Sequence, residues 1–304
     1  MSVKKGYKKV IKVEGKTFVI REPHNPEEHR ELMEIERDIW STDYREVFPY
    51  HITIPLIDIG GVVLGAFDSS TGKAVGVAVA MPGILDDELI YYSHMVGVIK
   101  DVRYKGLGYH LKMAQRDYAL ARDIKRILWT FDPLLSLNAW FNIAKLGVIC
   151  RTYRVNYYGL MNVEYNKGIE SDRLKAEWYV NSIRVNKRLS GNLPVKGVDY
   201  FLDRGGTVVL RTHYIKGELQ APDNPNLESA SDIILVEIPS DFLSIQQRDM
   251  QLAMDWRLKL REVLIHYLSK DYVIFEFTRS DDKTRSYYVL WRNELKDILG
   301  GAYP

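Results

Sequence analysis

The segment Val98-Ile99-Lys100-Asp101-Val102-Arg103-Tyr104-Lys105-Gly106-Leu107-Gly108 joins an apolar, β-rich run to an amphipathic stretch. Its residue types suit one kind of chemistry. The start of a helix presents unpaired N–H groups and the positive end of the helix dipole. Gly106 and Gly108 let an anion approach that backbone without Cβ interference, and Arg103 and Lys105 can add charge-assisted hydrogen bonds. Together they read as a cradle for a pyrophosphate. Two familiar alternatives do not fit. The P-loop pattern G-x-x-x-x-G-K-[ST] is absent, and the dinucleotide pattern G-x-G-x-x-G, counted from Gly106, meets Leu111 in its last position.

The elements that must position this cradle follow from periodicity. Glu88–Ile99 is rich in Ile, Tyr and Val and predicts a strand. From Gly108 to Asp123 the period changes: Leu111, Ala114, Tyr118 and Ala121 share one helical face, while Lys112, Gln115, Arg116 and Arg122 point elsewhere. Upstream, Thr17–Arg21 predicts a strand. Asn25 then reads as an N-cap, with Pro26 in the first helical position, of a helix running to about Trp40. Gly61–Phe67 and Ala74–Met81 flank the polar turn Asp68–Lys73 as a hairpin. Arg126–Phe131 predicts a strand and Leu137–Leu146 a helix ended by Gly147. This order predicts an α/β unit over residues 1–165. Residues 166–304 form a second α/β region, with strands at Ala176–Val185, Thr207–Ile215, Asp232–Ile238, Tyr272–Thr278 and Arg285–Trp291. A long helix is expected over Leu243–Leu268, with Trp256 and Tyr267 in the core and Arg257, Lys259 and Arg261 on its solvated face. The order Asp232 to Trp291 echoes the central strand-helix-strand of the first half.

Composition narrows the partners. The 304 residues carry 42 Lys plus Arg against 40 Asp plus Glu, a net charge of +2 that supplies no global field for nucleic acid or an anionic membrane. Five lysines in the first twelve residues suit an exposed edge strand. Cys150 is the only cysteine, which excludes an intramolecular disulfide and thiolate-rich zinc sites and fits a reducing, cytoplasmic setting. Ala74–Leu85 is too short and too broken to span a bilayer, and the N-terminal residues lack the features of a secretory signal. No metal is expected; His24 and His29 do not form H-E-x-x-H and are expected in solvent.

The pattern R-x-x-G-x-G after a strand ending in Val resembles the acyl-CoA pyrophosphate loop of the GNAT superfamily of N-acetyltransferases, and the order of elements over residues 17–160 is similar to that family's. Within it, Trp129–Pro133, Asn138-Ala139, Lys145–Gly147, Ser171–Leu174, Glu177-Trp178 and Ile238–Phe242 resemble a subgroup of large predicted acetyltransferases with an added C-terminal region. The resemblance implies a GNAT-like mixed α/β sheet over 1–165, and a C-terminal region over 166–304 covering the acceptor side, readable as a diverged half-unit. It implies acetyl-CoA or another acyl-CoA as co-substrate, lying between splayed strands at Tyr91–Val98 and Ile127–Phe131. Backbone of Arg103, Tyr104, Lys105, Gly106, Leu107 and Gly108 would hold the pyrophosphate. Main chain at Val96 and Val98 would bind the pantetheine arm and polarise the thioester.

The acceptor implied is an amine on a small molecule or a protein, attacking the acyl carbon directly. Aligning Lys145–Gly147 with the family's usual ending puts Ser136 where an asparagine often contacts the cofactor and Ile143 where a tyrosine often serves as acid. Asn138 and Asn142 are candidates for the first contact; Tyr153, Tyr157 or Tyr158 for the acid. Strand alternation places Tyr92, His94, Val96 and Val98 on one face, which makes His94 a candidate base with a pKa suited to neutral pH. Asp132, at the end of its strand, is a candidate for orienting the amine; each of these residues also has an ordinary structural role. The missing tyrosine keeps open a non-catalytic reading, a CoA-binding sensor or interaction module on the same fold. Oligomeric state is open.

Overall fold

The computed structural model describes residues 6–40, 47–100, 106–159, 168–215 and 218–304. The chain forms two compact units, residues 1–128 with 162–164 and residues 129–161 with 165–304. The division falls inside one strand, Arg126–Phe131. Residues 149–154 form a strand whose partners lie in the second unit, which draws them out of the first.

The first unit holds strands β1 (Lys8–Val13), β2 (Lys16–Arg21), β3 (Val62–Asp68), β4 (Ala74–Leu85) and β5 (Glu88–Val98), each antiparallel to the next. β1 is the lysine-bearing outer strand, registered on β2 alone. Helix α1 (Pro26–Trp40) starts as expected, with Asn25 Oδ1 accepting the Glu28 N–H at 2.9 Å. α2 (Tyr50–Asp58) was not legible in the sequence, because Pro55 interrupts its pattern. Helix α3 (Leu107–Leu120) leaves β5 and returns to β6 (Arg126–Phe131), which begins parallel to β5 with Ile90 opposite Arg126 and Tyr92 opposite Leu128. A helical crossover is what a parallel neighbour requires. α1 covers one sheet face, where Leu32, Ile39, Val77, Val79 and Met95 form a core. Leu111, Ala114 and Tyr118 of α3 are buried as their spacing predicts, but Lys112 and Gln115, expected to point elsewhere, are buried with them, and Ala121 is exposed past the end of the helix.

In the second unit, α4 (Ser136–Ala139) continues directly into a π-helical run, Trp140–Lys145, so the predicted helix is wider than an α-helix over half its length. The Leu146 N–H reaches the Phe141 carbonyl at 3.2 Å, and Gly147 ends the run at φ 76°. β7 (Ile149–Arg154) pairs with β8 (Arg173–Tyr179) and with β13 (Val273–Arg279). The expected strand Ala176–Val185 stops at Tyr179 because Ser182 caps a helix, α5 (Ile183–Leu189), by accepting the Val185 N–H. α6 (Val198–Leu202) follows. Thr207–Ile215 divides into β9 (Thr207–Leu210) and β10 (Thr212–Ile215), the latter paired with β11 (Leu219–Pro222) in a separate ribbon. β12 (Ile233–Pro239) lies between β9 and β14 (Arg285–Trp291), and α9 (Leu295–Leu299) follows.

The long C-terminal helix is also divided, into α7 (Phe242–Arg248) and α8 (Met250–Leu268). Asp249 is extended and caps α8 through the Leu252 N–H. Trp256 and Tyr267 are in the core as expected, but Arg257 is buried with them rather than solvated. The echo of the first unit is incomplete, since β14 lies between β12 and β13, the two strands that α7 and α8 connect.

Candidate active site

The junction between β5 and α3 is built by Gly106, which caps α3 at φ 86° and ψ −4°. An L side chain rarely adopts that conformation, so the glycine is needed for the backbone itself; space is not the issue, as an added Cβ would meet nothing within 4 Å. Gly108 serves differently. A Cβ there would come no nearer than 4.0 Å to Val98, and its absence leaves the first turn of α3 bare over the end of β5. No side chain caps this helix, and its first turn holds no acid. Its first N–H groups and dipole therefore face no competing local anion among the described residues. Arg103, Tyr104 and Lys105 lie outside the described residues.

β5 carries a feature the sequence reading missed. Its register on β4 slips between Val79 opposite Met95 and Ala80 opposite Ser93, so His94 is an extra residue in a β-bulge. Alternation is broken there. Ser93 lies on the α3 face, bonded to Lys112 at 2.9 Å and Gln115 at 2.9 Å. Met95 joins the α1-side core, and Gly97 faces Trp40 of α1, where a Cβ would come within 2.7 Å. Val98 lies under α3, beside the positions of Gly76 and Gly108. His94 therefore does not share a face with Val96 and Val98. Its ring packs on Phe48 with centroids 4.9 Å apart; the residue as a whole stays exposed, and partial desolvation of the ring lowers its pKa, favouring the neutral imidazole. The registered pairs of β5 with β6 end at Tyr92 and Leu128, while β5 continues to Val98 on β4. A bulge presents backbone groups of β5 away from regular pairing.

The second unit contains the remaining sequence candidates. Asp132 is not available to an amine. Its carboxylate, 1% exposed, accepts from Arg257 Nη1 at 2.9 Å and Nη2 at 2.6 Å, lies 3.6 Å from Arg173, and also takes the Leu134 N–H. Arg257 comes from α8, 125 residues away in sequence, so the pairing had no local signal. Tyr153 donates its hydroxyl to Asp172 at 2.6 Å; burial, then the Asp172 charge, push its pKa well above the ordinary phenol. Asp172 is held in turn by Arg261 Nε at 2.8 Å. Tyr157 and Tyr158 are exposed, and Tyr158 shares a hydrogen bond with Thr130 at 3.0 Å. Asn138 is exposed on α4, Asn142 is buried in the π-helical run, and Ile143 is fully buried. Ser136 is buried and bonds Ser286 at 2.8 Å.

The first unit also contains His29, which the sequence reading placed in solvent, and Glu36, which it did not single out. His29 is buried rather than solvated, with Nδ1 2.6 Å from Thr53 Oγ1. Glu36 is buried on the same helix, and burial pushes its carboxyl up to about 7 against the lowering effect of the Phe48 N–H. Their seven-residue separation on an amphipathic helix was the available signal. Among the described residues no group of three or more His, Cys, Asp or Glu is placed to hold a metal ion, and no helix is long and apolar enough to cross a membrane.

The architecture is a mixed α/β fold whose first unit carries the strand, αL-glycine and helix junction just described. Among solved structures, the chain is similar to NAA60 of Arabidopsis thaliana in complex with a bisubstrate analogue, at 15% identity and TM-score 0.45, over 54% of this chain and 99% of that one. It is also similar to the ribosomal-protein-S18-alanine N-acetyltransferase of Escherichia coli, at 15% identity and TM-score 0.43, over 54% and 94%. A third is a putative acetyltransferase of the GNAT family from Desulfovibrio desulfuricans, at 13% identity and TM-score 0.42, over 54% and 99%. No protein-family model and no curated protein matches the chain.

Proposed function

We propose that the protein is an acyl-CoA-dependent N-acyltransferase that moves an acetyl group from acetyl-CoA to an amine by direct attack. The observation that carries the reading is the β5–α3 junction, where an αL glycine and a second glycine leave an uncapped helix start bare above Val98. The fit to a diphosphate is chemical: N–H donors, a positive dipole end, no acid in the first turn and no Cβ in the way. The N–H groups of Gly106, Leu107 and Gly108 would hold the pyrophosphate, with Arg103, Tyr104 and Lys105 adding to them. Main chain at Val96 and Val98, beyond the bulge, would receive the pantetheine arm. The co-substrate supplies the activated acyl carbon; the chain binds it, orients it and handles protons. Ile143, where the family's acid often stands, is sealed in the core, and we assign the proton of the departing sulfur to the amine or to solvent.

Calorimetric titration with acetyl-CoA tests this in wild type and in Gly108→Asp. The aspartate places an acid in the first turn of α3, which favours the helix while opposing a bound anion. At about 5 Å from a phosphate and an effective dielectric of about 20, the repulsion is on the order of 3 kcal/mol, or roughly a hundredfold in Kd. A wild type that fails to bind acetyl-CoA, or an aspartate variant that binds it equally well, refutes the reading. Acceptor-dependent release of CoA thiol separates the enzyme from a binding module.

A further inference from the structure

We infer that Glu36 is the proton acceptor for the attacking amine and that the cavity beneath α1 and α2 seats that amine's head group; the inference rests on the transfer reading above. The cavity is lined by His29, Met33, Glu36, Phe48, Thr53 and Met95, with a floor of valines from β3 and β4. It has room for about one water-sized group, which is the size of a primary ammonium. Glu36 and His29 are its ionisable lining residues. His94 of β5 packs against the Phe48 ring, centroids 4.9 Å apart. Phe48 thus joins the carboxylate to the bulge, for its N–H donates to Glu36 Oε1 at 3.1 Å and Oε2 at 3.2 Å.

Hydrogen-bond counting assigns the roles. Thr53 Oγ1 has one proton and donates it to the Tyr50 carbonyl at 2.6 Å, so toward His29 it can only accept. His29 Nδ1 therefore carries the hydrogen and Nε2 is left as an acceptor. Burial keeps the ring below its ordinary pKa and hence neutral at pH 7. Glu36 receives one shared backbone N–H, whereas a carboxylate offers about four lone-pair sites. One lining residue can accept a hydrogen bond and the other a proton, which is the complement of R–NH3+. Glu36 titrating at about 7 is poised to take that proton and to release it again.

The step balances. An amine arriving as R–NH3+ gives one proton to the Glu36 carboxylate, and its lone pair forms the C–N bond to the acyl carbon. The C–S bond breaks, and a second N–H proton leaves with the sulfur as the CoA thiol. The products are the amide, the thiol and protonated Glu36, which returns its proton to solvent.

Ethylammonium chloride serves as the probe, with tetramethylammonium chloride as the oversized control. In wild-type protein, carbon-13 NMR of labelled glutamate carboxyls should show one group titrating near pH 7, moved to lower pH by ethylammonium and not by tetramethylammonium. With acetyl-CoA and ethylamine, Glu36→Gln should lower thiol release roughly 100-fold or more and abolish the inflection near pH 7, leaving the Kd for acetyl-CoA within about twofold. A wild type that does not bind acetyl-CoA sinks the transfer reading. If it binds acetyl-CoA, then a glutamate titration unmoved by ethylammonium, or a Glu36→Gln variant within threefold of wild-type turnover, overturns the assignment of Glu36. The NMR titration needs no variant, so misfolding of Glu36→Gln does not shield the inference.

Discussion

Replacing Asp132 by asparagine separates a structural ion cluster from a catalytic carboxylate. The side chain is 1% exposed, and its partners Arg257 and Arg173 are 2% and 5% exposed. Asparagine keeps the shape but removes the charge and turns one acceptor oxygen into a donor facing Arg257, whose two bonds measure 2.9 and 2.6 Å. Two guanidinium groups then remain buried without that counter-charge. Removing one partner of a buried pair costs about 3–5 kcal/mol, because the other is left uncompensated. For a unit of this size each kcal/mol lowers Tm by about 2–4 °C, so the expected fall is on the order of 10 °C. Thermal and urea unfolding followed by far-UV circular dichroism read this directly. Arg257→Met should cost a similar amount, and the double variant less than the sum by more than about 1 kcal/mol. A loss below about 1 kcal/mol for Asp132→Asn, or strictly additive single variants, refutes the reasoning. A variant of wild-type stability that no longer releases CoA thiol would return Asp132 to the chemistry.

Glu36 links stability to pH in the opposite sense from most carboxylates. Its folded pKa of about 7 lies above the unfolded value, so its contribution is fully present below about pH 4.5 and lost as pH rises toward 7. Glu36→Gln should remove roughly 2–3 kcal/mol of that slope between those limits; an unchanged urea midpoint-against-pH profile contradicts it. Cys150 is fully buried, and burial holds its thiol well above the usual range, so an aromatic disulfide reagent should find no reactive thiol in native protein and one after denaturation. Gly106→Ala should destabilise by about 1–2 kcal/mol through its αL backbone alone, measurable as a lower Tm; no change would remove the conformational argument. Tyr153→Phe deletes a hydrogen bond to a carboxylate, worth about 1.5–3 kcal/mol, and should spare thiol release; the reverse pattern makes Tyr153 the acid.

Much of the architecture was legible because its signals are local. Asn25 and Pro26 marked the start of α1, the polar turn after Asp68 marked the β3–β4 hairpin, and β6 and β14 fell where β-rich runs placed them. Misreadings arose where one residue redirected a periodic run. Ser182 and Asp249 are caps inside runs whose overall pattern hides them, so Ala176–Val185 and Leu243–Leu268 read as continuous when each is broken. The π-helical run had no distinct period to betray it. At the site, Gly106 and Gly108 announced themselves through spacing, whereas Arg257 looked like a solvated helix residue because its partner Asp132 lies just past the end of a strand far away in sequence.

Residue order alone determined the strand-to-helix junction and the glycines within it, because backbone conformation and the exposed N–H groups of a helix start depend on near neighbours. Tertiary structure decided which charges remain available. Pairing β5 with β4 put His94 in a bulge and turned it from Val96 and Val98. Folding α8 onto its own unit neutralised Asp132, and closing α1 and α2 over the sheet buried His29 and Glu36 beside one small cavity. Desolvation and pairing set the behaviour of an ionisable group, and both come from residues that are remote in the chain.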